Sequence, residues 1–190
     1  MISALQPLPF HVMQQAKTIY EQQKKEGPFN HSLTDGEATL HGIIGELLTI
    51  NFLQSCGVDA IRKNTFEFDL TAGRIKIEVK TQRQEKQAVH SHYDVNVEDR
   101  LRRNLRQQDC DVYVFCRVDN AANHGAVIGW ATHEDVYHSQ RWTLKKKGEM
   151  LGSGSAAKAD CWCLPFSRLA EPKQLAEYIF SRRQIISERC

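Results

Sequence analysis

The sequence predicts an α/β fold, a mixed sheet that contains a hairpin and is flanked by helices. Three observations carry that expectation. Thr65–Gln82 alternates apolar and polar residues in two runs, Phe66–Leu70 and Ile75–Thr81, joined at Thr71-Ala72-Gly73-Arg74. This is the period of strands with one buried face. Gly36–Ser55 repeats Leu40, Ile43, Ile44, Leu47 and Leu48 at the spacing of one helix face. Val112–Cys116 is continuously apolar, as in a strand buried on both sides. Beyond an N-terminal helix, the order reads helix, three strands, helix, strand, strand, helix, which is an α/β pattern.

Each element has its own justification. His11–Lys25 carries Val12, Ala16, Ile19 and Tyr20 in a stripe among Gln and Lys residues, an amphipathic helix that Gly27-Pro28 ends. Phe29–Asp35 is a turn-rich linker in which Thr34 or Asp35 is suited to cap the next helix. That helix, Gly36–Ser55, has Gly57 at the C′ position after Cys56. Glu46 lies off its main stripe, flanked by Gly42, Ile50 and Leu53, and a carboxylate on so apolar a flank needs a partner or a metal. Gly42 and Gly45 weaken a helix, and a close approach to the sheet would explain both. Val58–Lys63 reads as a short strand before the hairpin. Gln82–Tyr93 is polar and reads as a loop. Val97–Gln108 reads as a helix with Leu101 and Leu105 inward and arginines elsewhere. Asp111–Val118 and Ala126–Thr132 read as strands, and His133–Val136 begins a short helix. Leu151–Asp160 is rich in small residues and reads as a mobile loop that packs no core. Pro172–Ser187 closes the chain as a helix with Leu175, Ile179 and Ile185 inward.

The chain of 190 residues is one domain's worth. The N-terminal helix covers roughly 11–26, the core roughly 36–140, and a C-terminal loop and helix 141–190. A hydrophobic fraction of 41% and a charged fraction of 25% suit a soluble globular protein with a sizeable core. No apolar run is long enough to span a bilayer, so no membrane partner is expected. The N-terminus lacks the regions of a secretory signal. The six cysteines are then expected as free thiols in a reducing, cytoplasmic setting. Cys161-Trp162-Cys163 lacks the spacing of a zinc knuckle.

Charge is unevenly placed. Residues 1–60 hold three lysines against six acids, whereas residues 62–106 hold eleven Lys/Arg against seven acids. Such asymmetry points toward a polyanion. Arg100, Arg102, Arg103 and Arg106 are suited to grip phosphates, or else to pair with local acids such as Glu98 and Asp99. His90 and His92 are suited to phosphate contact or proton transfer, although loop histidines are more often simply solvated. Arg141 and Lys145–Lys147 form a second basic cluster, which most often means a solvated charge run.

The polar face of the hairpin holds Glu67, Asp69, Lys76, Glu78 and Lys80. A two-residue turn centred on Ala72-Gly73 would set Asp69 opposite Lys76 and diagonal to Glu78, about 7–8 Å away at the backbone. A divalent cation turns the repulsion of two such carboxylates into ligation. An alternating charged strand is also the ordinary outer face of a sheet.

Asp69 followed by Glu78-Val79-Lys80, with Gly45-Glu46 on the preceding helix, resembles the PD-(D/E)XK nuclease superfamily over about Gly42–Gln82 and more loosely to Thr132. Phe68 stands where the family's name-giving proline would be. The resemblance implies a restriction-endonuclease-like core, a central mixed sheet of about four or five strands flanked by helices. It implies Mg²⁺, or Mn²⁺ as substitute, on Asp69, Glu78, the Val79 carbonyl and Glu46. Lys80 would orient the attacking water and stabilise the transition state, and Gln82 would hold water or a phosphate oxygen. The implied activity is phosphodiester hydrolysis, in DNA more often than RNA, endo- or exonucleolytic, and pairing of two copies would let both strands be cut. The competing expectation is a non-catalytic nucleic-acid-binding or scaffold module on the same fold, or a protein–protein adaptor.

Overall fold

The computed structural model describes residues 4–26, 36–63, 65, 67–85, 88, 90, 93–100 and 106–187. In chain order the elements are β1 (Gln6–Pro7), α1 (Phe10–Glu26), α2 (Gly36–Ser55), β2 (Ile61–Arg62), β3 (Leu70–Ala72), β4 (Ile75–Gln84) and β5 (Asp94–Glu98). They continue with β6 (Val112–Asp119), β7 (His124–Thr132), α3 (His133–His138), β8 (Thr143–Lys145), β9 (Cys161–Pro165) and α4 (Pro172–Ser187). The expected α/β class is observed. Among the described residues the main sheet has six strands in the order β1-β7-β6-β4-β3-β2, and a separate three-stranded sheet has the order β5-β9-β8. Only β4 and β6 run parallel in the main sheet.

β6 is the spine. Every residue from Val112 to Asp119 is buried, because the two faces of the strand serve two cores. Val112, Val114, Cys116 and Val118 join α2, α1 and α4 in one cluster with Ile43, Ile44, Leu47, Val12, Ala16, Leu175 and Ile179. Tyr113 and Phe115 face the other way and pack with Val95, Val97 and Leu164 from the small sheet, Tyr137 from α3 and Trp142 between α3 and β8. A sheet sandwiched like this loses water from both faces, so its middle strand reads as an unbroken apolar run.

The end of α2 follows the expected glycine cap. Gly57 has φ +78°, its N–H donates to the Gln54 carbonyl at 2.9 Å, and the Val58 N–H donates to the Leu53 carbonyl at 2.9 Å. This double closure is the Schellman motif, with Leu53 and Val58 both fully buried. Gly45 makes the close approach expected of it, since a Cβ there would meet Thr81 Oγ1, with Thr81 Cβ and Cγ2 at 3.1 and 3.3 Å. Gly42 does not, having nothing within 4 Å of such a Cβ. α3 is capped by Thr132, whose Oγ1 accepts the Asp135 N–H at 3.0 Å.

Several expectations are corrected. The hairpin turn is Gly73-Arg74, not Ala72-Gly73, with Ala72 paired to Ile75 and Thr71 to Lys76. Gly73, at φ +65°, supplies the left-handed first position that a two-residue turn favours. The expected loop from Gln82 begins later, because β4 continues to Gln84 in parallel register with β6 out to Asp119. The expected strand at Val58–Lys63 is confined to Ile61–Arg62. The expected helix Val97–Gln108 does not form over its described parts. Val97 and Glu98 end β5, paired with Trp162 and Cys161, and 106–110 is irregular. Val95 and Val97 are both buried, a period of two that favours a strand. Leu151–Asp160, expected to pack no core, contributes to a small one, with Ala157 buried beside Cys161, Cys163 and Leu151 and a bridge between Met150 and Ala156. The capping residues Thr34 and Asp35 lie outside the described residues.

Candidate active site at the fork of β3 and β4

β3 begins only at Leu70, paired with Ile77, while β4 runs on past that pair through Glu78, Val79 and Lys80. The backbone of Lys76 faces β6, accepting the Asp111 N–H at 2.9 Å. By alternation, the N–H and C=O of Val79 face the β3 side. No β3 strand residue is left to meet them, and Asp69 fills the gap with its side chain: Oδ2 accepts the Val79 N–H at 2.8 Å. The Val79 carbonyl is directed to the same side. Continuing the Thr71–Lys76 pairing sets Asp69 against Glu78 rather than diagonal to it.

The charged groups expected to form a site are electrostatically joined. Glu46 and Glu78 are buried, 8% and 7% exposed. Asp69 is held well above the usual carboxylate range, first by burial, then by the negative charges of Glu78 and Glu46. Burial also raises Glu46, against the opposing pull of Arg62, with Glu78 adding to the rise. Lys80 lies amid these acids. Burial works to lower it, but Glu78 and then Asp69 outweigh that and hold it above its ordinary value. Its Nζ donates to Glu78 Oε1 at 2.7 Å and to Gln108 Oε1 at 3.1 Å.

Two partners escape sequence reasoning. Arg62 Nε donates to Glu46 Oε2, and Gln108, itself buried, holds Lys80. No pattern marks Gln108, which sits in an irregular stretch. Burial pushes the nearby Cys110 thiol up to about 12, so it stays protonated at neutral pH. Gln82 shares the polar side of β4 with Lys80, but its Nε2 donates to the Asp94 carbonyl at 3.2 Å, bridging to β5.

Among the expected nucleic-acid contacts, Arg100 and Arg106 have exposed side chains, Arg100 beside Asp99 at 3.7 Å and Arg106 paired with Glu67. His90 is exposed with its ring 5.0 Å from Tyr93. Arg102, Arg103 and His92 lie outside the described residues. Within the second basic cluster, Lys146 pairs with Asp160 at 2.9 Å and Arg141 with Asp135 at 3.4 Å.

Among the described residues, no three His, Cys, Asp or Glu side chains are grouped so as to hold a metal ion. Glu46 is turned onto Arg62 and Glu78 onto Lys80. The donors nonetheless suit a hard cation, being carboxylate and carbonyl oxygens, and the mutual repulsion at Asp69 is what a cation would relieve. No protein-family model, curated protein or solved structure matches the chain. Among the described residues no helix is long and apolar enough to cross a membrane.

Proposed function

We propose that the chain is a divalent-metal-dependent nuclease of the PD-(D/E)XK type, hydrolysing phosphodiester bonds in DNA. The observation that carries this reading is the crowding of Asp69 by Glu78 and Glu46 beside the Lys80 ammonium. Asp69, Glu78 and the Val79 carbonyl would hold Mg²⁺, or Mn²⁺ in its place, and Glu46 would hold a metal-bound water or a second ion. When bound, the ion lowers the pKa of a water and neutralises charge on phosphate oxygens. Lys80, raised and positive, is suited to orient that water and to stabilise the crowded phosphorus electrostatically. Its bonds to Glu78 and Gln108 leave one ammonium proton to give, since a lysine has three. Arg100 and Arg106, both exposed, are placed on the surface, where phosphate contacts supply affinity without sequence preference.

A second reading is a non-catalytic nucleic-acid-binding module. The internal ion pairs Glu46–Arg62 and Glu78–Lys80 favour it, because each acid already has a cation from the chain itself. Purified protein incubated with circular, linear, single-stranded and junction DNA, with Mg²⁺, Mn²⁺ or EDTA, separates the two. The nuclease reading expects cleavage that EDTA stops and that Glu78→Gln and Lys80→Ala abolish while circular dichroism stays unchanged. DNA retention with no cleavage of any substrate supports the binding module.

A further inference from the structure

We propose that Gln108 is a positioning residue that fixes the direction of the Lys80 ammonium, and that the segment Arg106–Asp111 holds it there against the hairpin. The chemical meaning of that role rests on the nuclease reading.

Lys80 Nζ has three protons, and two of its acceptors are Glu78 Oε1 at 2.7 Å and Gln108 Oε1 at 3.1 Å. A lysine held by one carboxylate swings about that contact. Two acceptors on different segments define the orientation and direct the remaining proton. Gln108 supplies the second acceptor without supplying charge, so the ammonium stays available to a developing negative charge. A carboxylate there would add to the repulsion already present around Glu78.

Gln108 has no regular element beneath it, so its placement has another source. The segment is fastened to the hairpin on both sides of it. Arg106 Nη2 donates to Glu67 Oε1, and the Asp109 N–H donates to Glu67 Oε2 at 3.1 Å. Lys76 Nζ donates to Asp109 Oδ2 at 2.7 Å, and the Lys76 N–H donates to Asp111 Oδ2 at 2.7 Å. Gln108 is thereby buried to 6% exposure between two anchored neighbours. The same segment carries the exposed Arg106, so a phosphate chain lying against Arg106 is registered relative to Lys80 through two residues.

The test uses ¹⁵N-lysine-labelled full-length chain, with the Lys80 ammonium signal assigned from Lys80→Arg. Gln108→Met keeps the side-chain length and removes the acceptor, and Gln108→Ala provides a second variant. In metal-free, DNA-free protein the Lys80 ammonium is expected to become more mobile in both variants, while Lys76 stays unchanged. In cleavage assays kcat is expected to fall about ten- to hundredfold, as for a misplaced catalytic group, with KM for DNA within twofold. Gln108→Asn, one methylene too short, is expected not to restore kcat. Unchanged Lys80 mobility in Gln108→Met overturns the proposal, and so does increased mobility with unaltered kcat. A wild-type chain that cleaves nothing refutes the nuclease reading instead, and the mobility measurement still decides whether Gln108 fixes Lys80.

Discussion

The Asp69 carboxylate accepts the backbone N–H of Val79 at 2.8 Å, so the acid at the end of one strand completes the hydrogen bonding of its neighbour. The same carboxylate lies beside the negative charges of Glu78 and Glu46. Asp69→Asn keeps an oxygen for the Val79 N–H and removes one charge from the group. Chemical denaturation at pH 7 in EDTA is expected to show Asp69→Asn more stable than wild type by about 1 kcal/mol, a gain in the usual range for a single stabilising substitution. Asp69→Ala leaves a buried N–H unpaired and is expected to lie about 1–3 kcal/mol below Asp69→Asn. The reverse order would show that the repulsion is not significant.

Gly45 and Gly42 offer a paired comparison on one helix. Alanine at either gains about 1 kcal/mol of helix propensity. At Gly45 the new methyl meets Thr81, and overpacking of this kind costs about 1–3 kcal/mol. Thermal unfolding is expected to rank Gly42→Ala above wild type and Gly45→Ala below it. Thr81 Oγ1 is buried with no hydrogen-bond partner, so Thr81→Val is expected to be neutral or to stabilise by about 1 kcal/mol.

The sequence displayed some of this plainly and hid the rest for physical reasons. Ile75, Ile77 and Val79 alternate, and β4 is legible from them. Its extension through Thr81, Gln82, Arg83 and Gln84 is not, because there the strand is held by parallel pairing to Cys116–Asp119 rather than by its own apolar residues. β5 is short, and its Val95 and Val97 run directly into an arginine-rich stretch whose leucines suggest a helix. The acids of the fork were visible from spacing, since a strand's period places Glu78 and Lys80 on one side. Their protein partners were not. Arg62 and Gln108 reach Glu46 and Lys80 through tertiary contacts 16 and 28 residues apart, and neither carries a local pattern.

Glu78 and Lys80 form a largely enclosed ion pair of the fork, with side chains 9% and 27% exposed. Removing one partner of a fully buried pair costs about 3–5 kcal/mol. Exposure of Lys80 screens part of that, so Lys80→Met is expected to destabilise by about 1–3 kcal/mol. The double variant Glu78→Gln, Lys80→Met is expected to recover part of the loss, which urea titration of Glu78→Gln, Lys80→Met and the double variant would measure. A fully additive result would mean that the two charges do not interact.

Asp119 gives the expected pH dependence away from the fork. Its Oδ1 accepts the Asn123 N–H at 2.7 Å and its Oδ2 lies 2.8 Å from His124 Nδ1. Burial works to raise the carboxyl, but these bonds prevail and hold it below its ordinary 3.8. The folded state therefore binds the proton more weakly than the unfolded state. The stabilisation is complete above the unfolded value and is lost as pH falls through the folded one. Wild type is expected to exceed Asp119→Asn in stability at pH 7, with the gap closing below about pH 4. A gap that stays constant down to pH 2 would contradict this.

The most direct measurement is calorimetric titration of Mn²⁺ into the wild-type chain and into Asp69→Asn, each with and without a non-cleavable phosphorothioate DNA. Saturable binding by wild type, strengthened by DNA and lost in Asp69→Asn, is the expected result. Equal heats for the two proteins under both conditions would contradict the claim that these carboxylates gather to hold a divalent ion.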